Sequence, residues 1–156
     1  MSNTATGKVL ETFVVNLLLS SGYNTIPYSN WKSSVVTKGK HLIRHYPYVS
    51  IYGSGRSQTE FVIQDDSRMI RVECKWQQVS GSVDEKLPYL YMNAVESFPE
   101  KEIILLIDGG GFKPGAISWI NKKTAEYNFS KSDKKIKVMT MMEFQIWVNK
   151  KMPAIS

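Results

Sequence analysis

The residues of this chain best suited to chemistry are two glutamates and a lysine, Glu60, Glu73 and Lys75. They lie within residues 57–77, where polar and apolar residues alternate on both sides of a polar cluster, Asp65 to Arg68. Alternation with a period of two predicts strands, and the polar cluster predicts a turn between them. The stretch is therefore expected to form a β-hairpin.

The register of this hairpin brings the two glutamates together. A turn within the cluster pairs Gln64 with Met69, and counting back places Glu60 opposite Glu73. Opposed Cβ atoms are only ~5 Å apart, so two carboxylates there repel each other unless a positive charge intervenes. Mg²⁺ or Mn²⁺ suits such an oxygen-only site, and Lys75 on the same face can reach a phosphate or a water on the metal. The alternative is an ordinary solvated strand face.

Glu60 on one strand and Glu73-Cys74-Lys75 on the next resemble the active site of the PD-(D/E)xK nuclease superfamily. This superfamily covers restriction endonucleases, Holliday-junction resolvases and repair or phage nucleases, with an acid on one strand and Glu-x-Lys on the next. The chain departs from the motif at Thr59-Glu60, which stands in place of Pro-Asp. The resemblance implies a nuclease that uses Mg²⁺, with Mn²⁺ able to substitute, and that acts as a DNA endonuclease.

The resemblance also implies roles for individual residues. It assigns four side chains to catalysis: Glu60, Glu73, Lys75 and Gln77. The backbone carbonyl of Cys74 would join the two glutamates in binding the metal, and Lys75 would position or deprotonate the attacking water. Glu11, at the edge of the apolar stripe of the first helix, is a candidate third carboxylate, with a plain surface position as the alternative.

The charge of the chain is compatible with a polyanionic partner, for which we expect DNA. Lys and Arg number 20 against 14 Asp and Glu, a formal net charge of +6. Arg56 follows a glycine-containing break, and Arg71 flanks the acidic pair, so both are expected to hold phosphates. Four lysines are also expected to contact nucleic acid. Lys86 lies in a passage similar to the turn that follows the motif in restriction-like nucleases. The other three lie in a charged loop nearer the C-terminus: Lys131, Lys134 and Lys135.

The surrounding elements predict a single α/β domain over residues 1–156, with its core at about 7–151. Apolar residues at helical spacing predict four helices, at residues 9–18, from a start at about 82–85 to residue 98, at 114–127, and from the capping box at Thr140 to Lys151. Residues 46–52 and 136–138 are expected to be strands, and the continuous apolar run 102–108 is typical of a central strand buried on both faces. The fold expected is a mixed sheet flanked by helices, similar to restriction endonucleases. Residues 24–40 have no clear period and are expected to be an irregular or weakly stranded arm.

Several classes of protein are excluded or disfavoured. The single cysteine, Cys74, excludes an intramolecular disulfide and multi-cysteine zinc sites. No apolar run approaches the ~20 residues that cross a bilayer, and the N-terminus lacks the profile of a signal peptide, so we expect a soluble cytoplasmic protein without membrane contact. Because related nucleases commonly pair two sites, a homodimer is expected.

Two alternatives compete with the nuclease hypothesis. The first is a catalytically silent module that binds nucleic acid or a protein, for which Tyr46, Tyr48 and Tyr52 would serve equally well. The second is a zinc hydrolase that uses His41 and His45, but it lacks a third ligand. The sequence leaves open whether the DNA is duplex, branched, nicked or single-stranded.

Overall fold

Six strands and five α-helices make up the part of the chain that the computed structural model describes, residues 8–34, 38–53, 56–130 and 133–156. The helices are α1 (Lys8–Ser20), α2 (Tyr28–Ser33), α3 (Leu87–Glu96), α4 (Pro114–Ser130) and α5 (Met141–Asn149), and a short 3-10 helix (Ser82–Lys86) precedes α3. The strands are β1 (Asn24–Pro27), β2 (Lys40–Tyr48), β3 (Ser57–Asp65), β4 (Arg68–Trp76), β5 (Glu102–Asp108) and β6 (Lys135–Met139).

The strands form one mixed sheet in the order β1-β2-β3-β4-β5-β6. Strands β2, β3 and β4 are antiparallel neighbours, whereas β1 pairs with β2, β4 with β5, and β5 with β6 in parallel. Helices α3 and α4 provide the crossovers that the two parallel pairs at β5 require. The predicted mixed sheet is therefore confirmed.

Two apolar clusters hold helices against the two faces of the sheet. One packs α1 and α5 on the first face, and the other packs α3 and α4 on the second. Strand β5 contributes side chains to both clusters. Ile104 and Leu106 belong to the first cluster, and Ile103, Leu105 and Ile107 belong to the second. This confirms the prediction of a central strand buried on both faces and a helix-flanked α/β fold.

The predicted hairpin is present, with a two-residue turn. Strands β3 and β4 are joined by Asp66 and Ser67, and Asp66 has a positive φ of 55°, a conformation that aspartate tolerates in turns. Gln64 pairs with Met69 as predicted. The paired residues run from this turn to Phe61 and Val72, so Glu60 and Glu73 come next in the same register.

In strands β2 and β3, the side chains exchange faces of the sheet at the level of Glu60. In a regular strand Leu42 and Tyr48 would share a face, but Leu42 packs in the α1 cluster and Tyr48 packs against the α3 cluster. In β3, Phe61 lies in the α1 cluster, whereas the Thr59 hydroxyl accepts a hydrogen bond from Arg71 on the opposite face. His45, with a φ of 57°, lies at the point of β2 where the faces exchange. The change of face leaves Glu60 at the boundary between the two faces.

Some elements differ from the sequence prediction. Residues 24–40, expected to be an irregular or weakly stranded arm, contain the short strand β1 and also a helix, α2, which was not predicted. The strand predicted at 46–52 is instead β2, which begins at Lys40 and ends at Tyr48. The capping box of α5 is confirmed, since Thr140 and Glu143 bond each other's backbone N–H groups. No helix among the described residues has the length and apolar character needed to cross a membrane.

Candidate active site

Glu60 and Glu73 form a buried pair of acids at the ends of β3 and β4. Glu60 is 8% exposed and Glu73 is 5% exposed. The backbone N–H of Cys74 donates to both, at 3.3 Å to Glu60 Oε2 and 3.2 Å to Glu73 Oε1. This shared donor places the two carboxyl groups side by side. The structure thus brings the two predicted acids together.

The environment of this pair opposes full ionisation. Burial raises the pKa of Glu73 well above its usual value, and the charge of Glu60 and the hydrogen bond to it raise it further. The charge of Lys75 and the hydrogen bond from the Cys74 N–H lower the pKa of Glu73, but by less. Glu73 therefore favours its protonated form when no cation is near it.

Lys75 lies beside the pair and faces an open cavity. Its Nζ atom is 3.9 Å from Glu73 Oε1, and its side chain is 23% exposed. A cavity of about 300 Å³ is bounded by both acids and Lys75 together with Tyr48, Arg56, Ser57, Gln58 and Tyr89. We refer to it as the acidic cavity. Water or a phosphate group entering it meets an ammonium and two carboxyl groups at one place.

Glu11 approaches the pair from α1. It is half-buried, and burial together with the charge of Glu60 raises the pKa of its carboxyl group. Arg44 and His45 lower that pKa, which places all of these groups within electrostatic reach of one another. The position fits the candidate third carboxylate, although Glu11 does not line the acidic cavity.

Polar atoms without partners mark the same end of the sheet. Within the described ranges, three buried side-chain atoms make no hydrogen bond: Arg44 Nε, His45 Nδ1 and Trp76 Nε1. Buried polar atoms are nearly always bonded, so a cluster of exceptions calls for a cause. Arg44 and His45 both act on Glu11, and His45 also has the left-handed backbone noted above. Unbonded atoms and strained backbone concentrate at functional sites.

The donor set fits a divalent cation of the Mg²⁺ type. The two acids offer only oxygen, and the raised pKa of Glu73 shows that two negative charges are unfavourable there unless a cation offsets them. In the described part of the chain, no three Asp, Glu, His or Cys side chains gather into a metal site. Mg²⁺ commonly uses one or two carboxylates and keeps several waters, so a two-acid site with a backbone carbonyl suffices.

Replacing Glu73 by Gln is expected to stabilise the metal-free protein at neutral pH. Because the folded state raises the pKa of Glu73, the stability that this group contributes is present at low pH and lost as the pH rises through that pKa. Each unit of raised pKa corresponds to about 1.4 kcal/mol, or roughly 3–6 °C in Tm for a chain of this size. Glutamine keeps the size and can donate to Glu60.

Thermal unfolding in chelator from pH 5 to 8 measures this effect. The Tm advantage of Glu73→Gln should grow with pH, and Mg²⁺ should raise the Tm of the wild type but not of the variant. Glu126→Gln is the control, since Glu126 is an exposed glutamate on α4. A Tm advantage that stays constant across the pH range would contradict the expectation.

Gln77 is placed away from the acid pair, contrary to its predicted role. Its side-chain nitrogen donates to Asp84 and to the carbonyl of Gly111, and its side-chain oxygen accepts from the N–H of Val83. A Cβ at Gly109 would collide with the Gln77 backbone, so the loop after β5 packs directly on this residue. Gln77 therefore links the segment around Val83 and Asp84 to the loop at Gly111 through hydrogen bonds, and it does not line the acidic cavity.

Arg71 is not available to hold a phosphate, which corrects its prediction as a nucleic-acid contact. The side chain is fully buried and forms a two-point ion pair with Glu100, at 2.6 and 2.8 Å. Its remaining donors bond the Thr59 hydroxyl and the carbonyls of Tyr46 and Pro47. Every donor is thus directed into the protein, since alternation puts Arg71 on the face that packs on α3.

Two of the lysines predicted to contact nucleic acid near the C-terminus donate hydrogen bonds to the protein backbone instead. Lys134 Nζ donates to the carbonyls of Ala94, Val95 and Phe98, so it caps the end of α3 and is not a phosphate contact. Lys135 Nζ donates to the carbonyl of Asn128 at 2.9 Å. Lys131 lies outside the described residues, and Lys86 is exposed. Arg56 is exposed and borders the acidic cavity, and its contact with a phosphate stays a prediction.

Tyr89 was missed by sequence reasoning. It lies on α3 outside the apolar stripe, and it borders the acidic cavity with 37% of its surface exposed. A large aromatic residue on the polar side of an amphipathic helix is the signal that would have identified it.

The two histidines do not form a zinc site. Both lie on β2, where residues four apart are separated by ~13 Å. His41 Nδ1 is 3.1 Å from Gln64 Oε1, and nothing in the described ranges supplies a third ligand.

Comparison with known proteins identifies the family of the chain. The family model described as "PD-(D/E)XK nuclease superfamily domain" matches residues 2–152. No curated protein and no solved structure gives a significant match. Since the family model spans nearly the whole chain and the hairpin carries the two acids and the lysine, the chain belongs to the PD-(D/E)XK nuclease superfamily.

Proposed function

We propose that this protein is a Mg²⁺-dependent DNA endonuclease whose active site is the acidic cavity. The observation that carries the proposal is the buried pair of Glu60 and Glu73, which share the Cys74 N–H as donor and line an open cavity with Arg56 and with Lys75, whose Nζ is 3.9 Å from Glu73 Oε1. Buried structural acids are normally neutralised by bases, but here, among the described residues, two acids are buried together beside a single lysine. Such an arrangement is suited to binding a cation and a phosphate together.

Each residue has a separate task in the proposed reaction. Glu60 and Glu73, with the Cys74 carbonyl, would hold the cation, and Glu11 would assist from α1. A bound divalent cation supplies polarisation of the phosphate and lowers the pKa of water. Arg56 at the rim would bind a neighbouring phosphate of the strand.

Lys75 is the residue proposed to act on the reacting atoms. Its ammonium can orient a water for attack on phosphorus and offset the negative charge that grows on the phosphate oxygens. The water oxygen forms a bond to phosphorus while the bond to the leaving oxygen breaks. The open side of the cavity admits the strand, and the buried side keeps the acids in place.

A panel of substrates tests the proposed function. Plasmid, linear duplex, junction, single-stranded DNA and RNA are incubated with the protein in Mg²⁺, in Mn²⁺ and in chelator. We expect internal cleavage of DNA in either metal and none in chelator, with Lys75→Ala as the inactive control. Binding of DNA with no cleavage in any metal would favour a silent binding module instead.

Arg56→Ala is expected to weaken both DNA binding and cleavage. Losing one phosphate contact should reduce the slope of log affinity against log salt by ~0.9 on duplex DNA or ~0.7 on a single strand. The loss of a charged hydrogen bond should lower affinity by roughly 10–100-fold. Binding isotherms at several salt concentrations with catalytically dead Lys75→Ala protein measure both values.

Lys150→Ala is the matched control for charge. Lys150 is an exposed cation at the end of α5 and lines neither the acidic cavity nor the second cavity described below. An unchanged salt slope in Arg56→Ala would show that this arginine makes no phosphate contact.

We also propose that two copies act together. One site cuts one strand per event, so cutting both strands of a duplex is most direct with a pair of sites. Sedimentation should then show a dimer, and any plasmid molecule that is cut at a locally unpaired site should yield linear product. A monomer that only nicks plasmid would rule the dimer out.

A further inference from the structure

A second cavity adjoins the acidic cavity. It has a volume of about 510 Å³, and four residues border both cavities: Tyr48, Arg56, Ser57 and Gln58. The other side of the second cavity is formed by Tyr28, His45, Pro47 and Val49. We call it the aromatic cavity. Because they share one wall, the two cavities are halves of a single groove across the ends of β2 and β3.

The rings of the aromatic cavity are held in place by neighbouring rings. Tyr28 contacts Tyr46 edge-on, with ring centroids 4.7 Å apart, and lies 6.1 Å from Trp31. Tyr48 contacts Phe98 edge-on at 4.8 Å. A cavity with fixed aromatic walls offers flat surfaces on which another ring can stack without an entropy cost to the protein. Its volume lies in the range of cavities that hold small organic ligands.

The opposite rim of the acidic cavity also carries aromatic rings. Tyr89 borders this cavity and stacks on Tyr52, with centroids 5.4 Å apart and an interplanar angle of 21°. Tyr52 is 75% exposed. Exposed aromatic side chains close to basic side chains such as Arg56 are a usual means by which proteins hold unpaired nucleotides.

The order of groups along the groove matches one nucleotide. The acids and Lys75 lie at one end, Arg56 lies where the cavities meet, and the apolar walls of Tyr28 and Val49 lie at the other. Phosphate groups suit the first two places, and a base suits the third. In a regular duplex the faces of the bases are stacked inside the helix, so a base can enter only if it is unpaired.

We infer that the aromatic cavity receives the base of an unpaired nucleotide next to the scissile phosphate, so the substrate is single-stranded or locally unpaired DNA rather than regular duplex. This inference rests on the proposed function and specifies its substrate. Unpaired nucleotides occur in single strands, flaps, loops and mismatches, all of which expose a base face next to a backbone phosphate. The groove is open at the surface, so such a strand can lie along it.

Binding by Lys75→Ala protein tests the inference without relying on cleavage. Oligonucleotides of one sequence are compared as single strand, as full duplex and as duplex with one unpaired 2-aminopurine. We expect the unpaired forms to bind about ten-fold or more tightly than duplex, and 2-aminopurine fluorescence to be quenched on binding, as stacking on an aromatic ring requires.

Two variants of Tyr28 provide a matched pair. Tyr28→Leu keeps an apolar wall but removes the flat ring, and it should reduce the preference for unpaired DNA by about ten-fold and abolish the quenching. Tyr28→Phe keeps the ring and should retain both. Tyr52→Ala should weaken unpaired binding, whereas Phe129→Ala, which removes another exposed ring that lines neither cavity, should not.

Failure of the inference and failure of the proposed function give different results. Equal affinity for duplex and unpaired DNA, or an equal loss on all forms in Tyr28→Leu, would overturn the inference and leave the nuclease proposal standing. Absence of cleavage of every substrate by the wild-type protein in Mg²⁺ would overturn the proposed function.

Discussion

Lys75→Ala should lower the rate of DNA cleavage by about 10³-fold or more while leaving cation binding intact. Groups that transfer protons or stabilise charge in a transition state commonly contribute 10²–10⁴-fold each. Lys75 is the described cation closest to the acid pair, with Nζ 3.9 Å from Glu73 Oε1, and it is exposed enough to meet substrate. Removing it takes away that charge without removing an oxygen ligand.

Glu73→Ala should abolish cleavage and cation binding together. Calorimetric titration with Mg²⁺ or Mn²⁺ separates the two variants, since Lys75→Ala should retain the binding heat and Glu73→Ala should lose it. Single-turnover cleavage measures the rates, and circular dichroism checks that both variants fold. Lys150→Ala should cleave at the wild-type rate. Full activity in either Lys75→Ala or Glu73→Ala would remove the acidic cavity from consideration as the active site.

The parts of the site encoded locally could be predicted from the sequence. The hairpin follows from alternation and turn residues within 21 consecutive positions, so its register and the proximity of Glu60 to Glu73 follow from counting. The buried strand β5 follows from an uninterrupted apolar run. These features depend on neighbours in the chain, which the sequence displays directly.

The features that were missed depend on partners distant in the sequence. Arg71 flanks the acids in the sequence, yet its partner Glu100 lies 29 positions away and directs the guanidinium into the core. Lys134 belongs to a basic run, but it reaches the end of α3 some 36 to 40 positions earlier. A charge pattern indicates how many cations a segment has, and only the tertiary structure decides which remain free.

Short elements held by neighbours were also beyond the sequence pattern. Strand β1 has four residues, and α2 has six with none of them fully buried. Neither is long enough to show a period, so packing on β2 determines their structure. The exchange of faces at His45 could not be predicted either, because the residue types in β2 do not indicate which residue takes a left-handed backbone conformation.

Arg71→Ala should destabilise the protein by about 3–5 kcal/mol, the usual cost of removing one partner of a buried ion pair. The change would leave the Glu100 carboxylate, whose side chain is only 7% exposed, without its cation. The Arg71 guanidinium also lies over the rings of Tyr46, Tyr48 and Phe98 at 5.0 to 5.6 Å, and these contacts would be lost. For a chain of this size the Tm should fall by roughly 6–20 °C.

A pair of variants distinguishes this structural role from the phosphate contact that the sequence suggested. If Arg71 acts through Glu100, the double variant Arg71→Met with Glu100→Met should recover most of the stability lost in Arg71→Met alone, because apolar residues of similar volume replace a buried pair at little cost. Urea denaturation of the wild type, both single variants and the double variant gives the coupling energy. If Arg71 instead met DNA, its replacement would leave stability nearly unchanged and reduce the salt dependence of binding, as predicted for Arg56. The fully buried guanidinium with both of its carboxylate bonds satisfied favours the first outcome, since a group already desolvated and paired has no donor left for a phosphate.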